Sequence, residues 1–375
     1  MKKIIMICFS FLVFMTVLSA ADSKVLDYKF HESVEVLTEK STLYGQFVYF
    51  GDWPQTIKAE DVIIDENQSE EHGAFTYYKG SDGYWYCKIV EKSYKWAENQ
   101  VYSDKSEVKK QDANSTRYFK VEPIKWCILT RNYNNTNQAL LLCQFIIDAP
   151  KFPNAEYYRL IDDKLIYSNN YKESEMRAYL NGLSYNDTKD FYKLWVWKFP
   201  DYSDFLNYVN GLPDEEKPLH YSNNQYLNKG FLQTAFSEKA QKKIAVTEVD
   251  NSYVSNIHYP VERIAPWNTG RDDYACENTY DKVFLLSEYE VTQSDFSFGT
   301  LSDYGIRNVR IFSATDFAKA RGIYDYGNQH YTFWWLRTPM NGDLRLVRYV
   351  EYQGASADAL GGQGGIVPAL CISLE

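Results

Sequence analysis

HYTFWWLRTPMNGDLRLVRYVEYQG, residues 330–354, decides how the rest of the chain is read. Laid out as a strand, Tyr331, Phe333, Trp335 and Arg337 share one face, and Thr332, Trp334 and Leu336 the other. A tryptophan on each face means that both faces are covered, so WWLRTP reads as a frame strand ended by Pro339. Arg337 is then placed to lie on Trp335 or to reach a buried carboxylate. The following ribbon, LRLVRYVEYQG, alternates Leu344, Leu346, Arg348, Val350 and Tyr352 with Arg345, Val347, Tyr349 and Glu351. Neither set is cleanly apolar, so at least one face meets water or a partner. Arg and Tyr are favoured contact residues. The candidate ligand-binding residues are therefore Trp335, Arg337, Asn341, Asp343, Arg345, Arg348, Tyr349, Glu351 and Tyr352, beside the loops MNGD and ASADALGGQ. Trp126, Trp334, Pro339 and Pro368 are assigned structural roles.

The rest of the pattern is α+β, with short strands, about three short helices and long insertions. GQFVYFGDWPQT (Gly45–Thr56) reads as a strand ending at a proline-containing turn, and AFTYYKGSDGYWYCKIVE (Ala74–Glu91) as a hairpin about Ser81-Asp82-Gly83. RYFKVEPIKWCILT and ALLLCQFIID form two strands joined by an Asn-rich turn, the second buried on both faces. Ser174 caps a helix carrying Met176, Tyr179, Leu180 and Leu183, closed by Asn181-Gly182. A second helix follows Ser237 and begins as early as Phe231; a third uses Ser313 with Asp316 as a capping box and stops at Gly322. Polar residues 92–116 read as a surface loop, and residues 195–226 as an inserted subdomain, a lid or a packed loop. The chain ends on a strand, GIVPALCISLE.

At the other end, Lys2 and Lys3, an apolar run from Ile4 to Leu18, and Ser19-Ala20-Ala21 have the order of a secretory signal peptide, residues 1–21. Residues 22–44 are a leader, and residues 45–375 a single domain. Loss of Lys2 and Lys3 takes the formal charge from −10 to −12, and no basic cluster interrupts the acidic background, which argues against nucleic acid as a partner. No later run is long enough to be an integral membrane span. Cys87, Cys127, Cys143, Cys276 and Cys371 remain, an odd number without metal-ligand spacing, so no metal and no other cofactor is expected. Cys127 and Cys143 lie on neighbouring strands and either pair across them or stay as buried thiols.

Signals of catalysis are weak. No GxSxG motif is present, and GGQGG (Gly361–Gly365) precedes a strand where a phosphate loop would open a helix. A glycan hydrolase needs two facing carboxylates, for which Asp272-Asp273 and Glu288 with Glu290 are candidates among fifty acidic residues.

YFKVEPIKW, RAYLNGLSY, YLNKGFLQTAF, EVDNS, DKVFLLS, WWLRTP and GIVPAL, in this order, resemble a family of exported bacterial proteins known as domain of unknown function 6273. More distantly, the WWLR to VPAL ending looks like C-type-lectin-like folds, including the formylglycine-generating-enzyme branch, in which loops on a short twisted antiparallel sheet present a ligand site. That enzyme branch uses two closely spaced C-terminal cysteines, whereas only Cys371 lies past Cys276 here. Trp267-Asn268-Thr269 is a faint echo of a calcium-dependent sugar-binding cluster, and no calcium is expected. The expectation is an exported, non-enzymatic module of the periplasm, outer surface or extracellular space that binds a protein or glycan ligand. A glycan hydrolase and a purely structural surface protein are the alternatives.

Overall fold

The computed structural model describes residues 35–36, 47–90, 100–108, 116–150, 159–161, 164–166, 169–189, 207–208, 210–216, 219–251, 276–292, 296, 311–323, 332–339, 347–350, 356–359 and 364–374. The signal and leader segments, apart from residues 35–36, and most of 195–218 lie outside them.

The main sheet is built from β1 (Glu35–Val36), β2 (Phe47–Ile57), β3 (Ile64–His72), β4 (Phe75–Gly80), β5 (Trp85–Ile89), β6 (Arg117–Thr130) and β7 (Gln138–Cys143). Two-stranded units follow: β8 (Arg159–Ile161) with β9 (Lys164–Ile166), β10 (Tyr185–Lys189) with β11 (Leu219–Asn223), and β12 (Thr247–Val249) with β13 (Thr279–Asp281). The C-terminal third adds β14 (Val283–Phe284), β15 (Trp334–Pro339), β16 (Val347–Val350), β17 (Ser356–Ala359) and β18 (Ala369–Ser373). Four short helices are present among the described residues: α1 (Glu175–Asn181), α2 (Phe231–Ala235), α3 (Glu238–Gln241) and α4 (Asp316–Ala320).

The nine-stranded sheet runs β14-β18-β7-β6-β5-β4-β3, antiparallel throughout, with β2 on β6 and β1 on β2. Strand β6 organises it: β2 runs along one edge, while β5 and β7 take successive halves of the other. The apolar β7 lies between β6 and β18, so it is a central strand with both faces covered. Strand β18 is held between β7 and β14, so Ala369–Ser373 is built into the sheet.

Several local signals act as read. Gly83 supplies the left-handed residue of the β4–β5 turn at φ 84°. Ser174 Oγ accepts from Arg177 N at the start of α1, and Gly182, at φ 68°, closes it. Others differ. Strand β2 does not stop at Pro54 but runs through it, because the register slips beside it and a bulge needs no N–H from that residue. It slips again between Tyr49 and Asp52, where Gly51 sits at φ 71°; a Cβ there would lie 2.4 Å from the ring of Phe236. The helix expected after Phe231 is broken in two at Phe236, with Ser237 capping α3. The third helix starts at Thr315, which accepts from Ala318 N at 3.1 Å, so the Ser313 capping box does not form. Asp316 is spent on another task, accepting from Ile57 N, Ser103 N and Ser103 Oγ. Those bonds, with buried Tyr102 and Val108, fasten residues 100–108 to the core, where a surface loop is expected.

The helices cover the sheet through an aromatic cluster. Trp53 of β2 meets Phe231 of α2 at 4.7 Å, Phe75 at 5.3 Å and Phe317 of α4 at 6.1 Å. Trp126 of β6 is fully buried and donates its indole N–H to the Phe50 carbonyl at 2.7 Å, as a buried tryptophan requires.

All five cysteines outside the N-terminal segment are thiols. Register decides this for one candidate pair: Cys127 stands opposite Leu142, so Cys143, one residue on, points to the other face. Burial pushes the thiols of Cys127, Cys143 and Cys371 up to about 12 and that of Cys276 to about 11, which leaves them inert.

Candidate functional site

The opening stretch separates into two environments. Strand β15 is buried at every residue. One edge pairs with β16; on the other, Trp335 N donates to Gly365 O and Arg337 N to Leu286 O, both at 3.0 Å. WWLRTP is thus a central strand joined to the segments that enter β18 and leave β14. Gly364 lies against the Trp335 indole, where a Cβ would come within 2.5 Å of the ring. Trp335 and Arg337, read as ligand-binding, are therefore interior residues. Trp126, Trp334, Pro339 and Pro368 are interior as well.

Arg337 takes the second of its two options. Its Nη1 donates to Glu290 Oε2 at 2.5 Å and to Leu285 O at 2.7 Å; its Nη2 donates to Glu290 Oε1 at 3.1 Å and to Asp250 O at 3.1 Å. Tyr133 Oη and Ser287 N also donate to Glu290. Burial disfavours the guanidinium charge, but Glu290 outweighs it and holds the pKa above its ordinary value. This is a fork-to-fork pair with both carboxylate oxygens engaged.

Strand β16 is different. Val347 and Val350 are buried anchors, whereas Arg348 and Tyr349 are partly exposed. Tyr349 packs against Phe333 at 5.0 Å and the edge of Trp335 at 6.2 Å. Arg348 lies on the opposite face, with its Nε 3.6 Å from Glu288 Oε2. Glu288 is fully buried, its backbone N–H donates to Thr338 Oγ1 at 2.8 Å, and neither carboxylate oxygen has a hydrogen-bond partner among the described residues. Strand β17 completes the small sheet on the far edge of β16. Asn341, Asp343, Arg345, Glu351 and Tyr352, with residues 361–363, lie outside the described residues.

The structure thus places Arg348 and Tyr349 on opposite faces of β16 and assigns Arg337 to the interior. Glu290 is a residue that the pattern under-read. The signal was present, because an arginine in an otherwise buried strand needs a carboxylate, but nothing local says which of fifty. Of the weak hydrolase candidates, Glu290 is occupied by Arg337, and Asp272-Asp273 lies outside the described residues. Glu288 faces Arg348, and two other buried carboxylates hold structural partners: Asp148 accepts from Tyr179 Oη at 2.5 Å and Arg321 Nε at 3.2 Å, and Asp281 from Arg177 Nε at 2.9 Å. Among the described residues no group of three or more His, Cys, Asp or Glu is arranged to hold a metal ion. No helix among them is long and apolar enough to cross a membrane.

Fold and site define an α+β protein dominated by antiparallel sheets, with a small C-terminal sheet whose middle strand is half open. Residues 136–374, more than half of the chain, match the family described as Domain of unknown function (DUF6273), and the chain belongs to that family. No curated protein and no solved structure matches it.

Proposed function

We propose that the chain is an exported, non-catalytic ligand-binding module that reads a protein or glycan through the C-terminal ribbon and its loops. The observation that carries this reading is the split within one small sheet: β15 is buried at every position, while β16 anchors itself by Val347 and Val350 and leaves Arg348 and Tyr349 partly exposed. A rigid strand carrying a half-open one beside loops is how a scaffold presents contact residues. The reading extends to one domain from residue 45, with insertions at about 92–116 and 195–226, and to a C-type-lectin-like arrangement of loops on a twisted sheet. Export through residues 1–21 places the domain in the periplasm, on the surface or outside the cell. A hydrolase reading is less favoured, because Arg337 neutralises Glu290.

Alanine substitution at Arg345, Glu351 and Tyr352, followed by probing glycan and peptide arrays, tests the proposal. Capture should weaken while the unfolding midpoint stays near that of the parent. Equal loss of folding and capture would make these residues core supports and end the binding reading. Arg348→Ala is a poor probe by itself, since it removes the ion-pair partner of the buried Glu288 and so also affects stability.

A further inference from the structure

Strand β3 carries Asp65-Glu66-Asn67-Gln68-Ser69 on an open edge. It ends the strand order of the nine-stranded sheet, so its outer edge has no strand partner among the described residues. On its inner edge Asp65 stands opposite Lys79 and Ser69 opposite Tyr78, which are neighbours on β4. Glu66, Asn67 and Gln68 are therefore looped out, with no partner across the ladder. The foot of this loop is braced. Asp65 Oδ1 accepts from Asn67 N at 3.0 Å and its Oδ2 from Gln68 Nε2 at 2.9 Å, while Glu66 accepts from Lys88 Nζ at 2.8 Å and from Tyr118 Oη. Asn67 is the middle residue of the three, and it is exposed.

Asn-x-Ser/Thr, with x other than proline, is the acceptor triplet for an N-linked glycan, and it serves where the asparagine is presented at the surface of an exported chain. The chain holds four such triplets, at Asn67, Asn114, Asn134 and Asn186. Asn114 lies outside the described residues. Asn186 lies within β10, opposite Ser222 of β11. Asn134 sits in a tight turn at φ 49°, where Thr136 already donates its hydroxyl to the Tyr133 carbonyl at 2.6 Å. At Asn67 the ladder is open, and the Ser69 hydroxyl is partly exposed and makes no hydrogen bond among the described residues. We infer that Asn67 is the acceptor of an N-linked glycan. The co-substrate is a polyprenyl-diphosphate-linked oligosaccharide. Asn67 Nδ2 forms a bond to the anomeric carbon, and the bond from that carbon to the diphosphate oxygen breaks. The electron pair leaves with the polyprenyl diphosphate, and a base of the transferase takes the amide proton. The bulky, hydrated product covers the free edge of β3, where an unpaired strand invites pairing with another chain. The inference rests on the reading of residues 1–21 as an export signal and adds a modification to the exported domain.

Incubation of the folded full-length chain with a bacterial oligosaccharyltransferase and a polyprenyl-diphosphate-linked oligosaccharide, read by intact-mass and glycopeptide mass spectrometry, tests the inference. A glycan should appear on the peptide that carries Asn67. Asn67→Gln and Ser69→Ala should each abolish that addition, Ser69→Thr should keep it, and all three should leave the unfolding midpoint near that of the parent, since the loop is exposed. Transfer confined to the other triplets, or transfer to Asn67 only after the chain is denatured, overturns the inference. So does a Ser69→Ala chain that is modified at Asn67 as fully as the parent. Fractionation of cells that make the chain reads export separately. A chain retained in the cytoplasm ends the export reading and with it the glycan in the cell, whereas an exported chain that stays bare at Asn67 in the reconstituted reaction removes the inference and leaves export standing.

Discussion

Two Arg–Glu pairs join the same small sheet to the same turn, and they are built in opposite ways. Arg337 grips Glu290 with two nitrogens at 2.5 and 3.1 Å, and backbone carbonyls, Tyr133 and Ser287 complete the set. Arg348 reaches Glu288 with one nitrogen at 3.6 Å, and the carboxylate accepts no hydrogen bond among the described residues. The residue types are identical and the glutamates are two positions apart. Hydrogen bonding to the carboxylate is what differs: Glu290 accepts on both oxygens, although Arg337 Nε lacks a partner among the described residues, whereas Glu288 accepts on neither oxygen among them. A buried pair is secure only when its remaining donors and acceptors are occupied.

The contrast can be broken most directly at the pair whose carboxylate is fully hydrogen-bonded. Arg337→Met strands Glu290 and should cost about 3–5 kcal/mol in urea unfolding, the range for one partner lost from a buried pair. A cost below about 1 kcal/mol would mean that the clamp does not hold the frame. Arg348→Met should cost less, about 1–3 kcal/mol, because its partner is already unsatisfied and solvent is near. Adding Glu288→Gln should recover most of that loss; if the double variant is no more stable than Arg348→Met, the two side chains are not coupled. Tyr133→Phe removes one hydrogen bond from Glu290 and should cost about 1–2 kcal/mol, with no counterpart at Glu288 to compensate.

The smallest effect concerns a third pair, His72 with Glu70, 3.4 Å apart on β3. Burial lowers the His72 pKa, and Glu70 only partly restores it. The unfolded chain therefore takes up the proton first on acidification. Stability from this group is complete above about pH 6.5 and declines as pH falls from there to the lower folded value. His72→Gln should flatten that part of the stability profile; an unchanged slope would show that the loss comes from other groups.

Much of the frame was legible because its signals are local. A serine three residues before an amide, a glycine at a left-handed position and a tryptophan on each face of a strand act within one turn or one pleat. The proline in β2 and the false cap at Ser313 misled because a bulge and a competing acceptor role for Asp316 depend on strands far away in the chain. The candidate site was legible by half. Mixed polarity marked the ribbon, but the same pattern could not separate Arg337 from Arg348. Each arginine sits among aromatic and apolar neighbours, and the carboxylate it meets lies 47 residues away for Arg337 and on the same distant turn for Arg348.

By itself, then, the sequence determined an α+β chain of short strands and capped helices, a fully covered WWLRTP strand and a ribbon of mixed faces. Tertiary structure alone decided which glutamate each arginine meets, which of them accepts no hydrogen bond among the described residues and why Cys127 and Cys143 cannot meet. The physical reason is register. Propensity and capping act over a few residues, whereas a one-residue shift between strands moves every side chain to the other face and changes every partner it can reach.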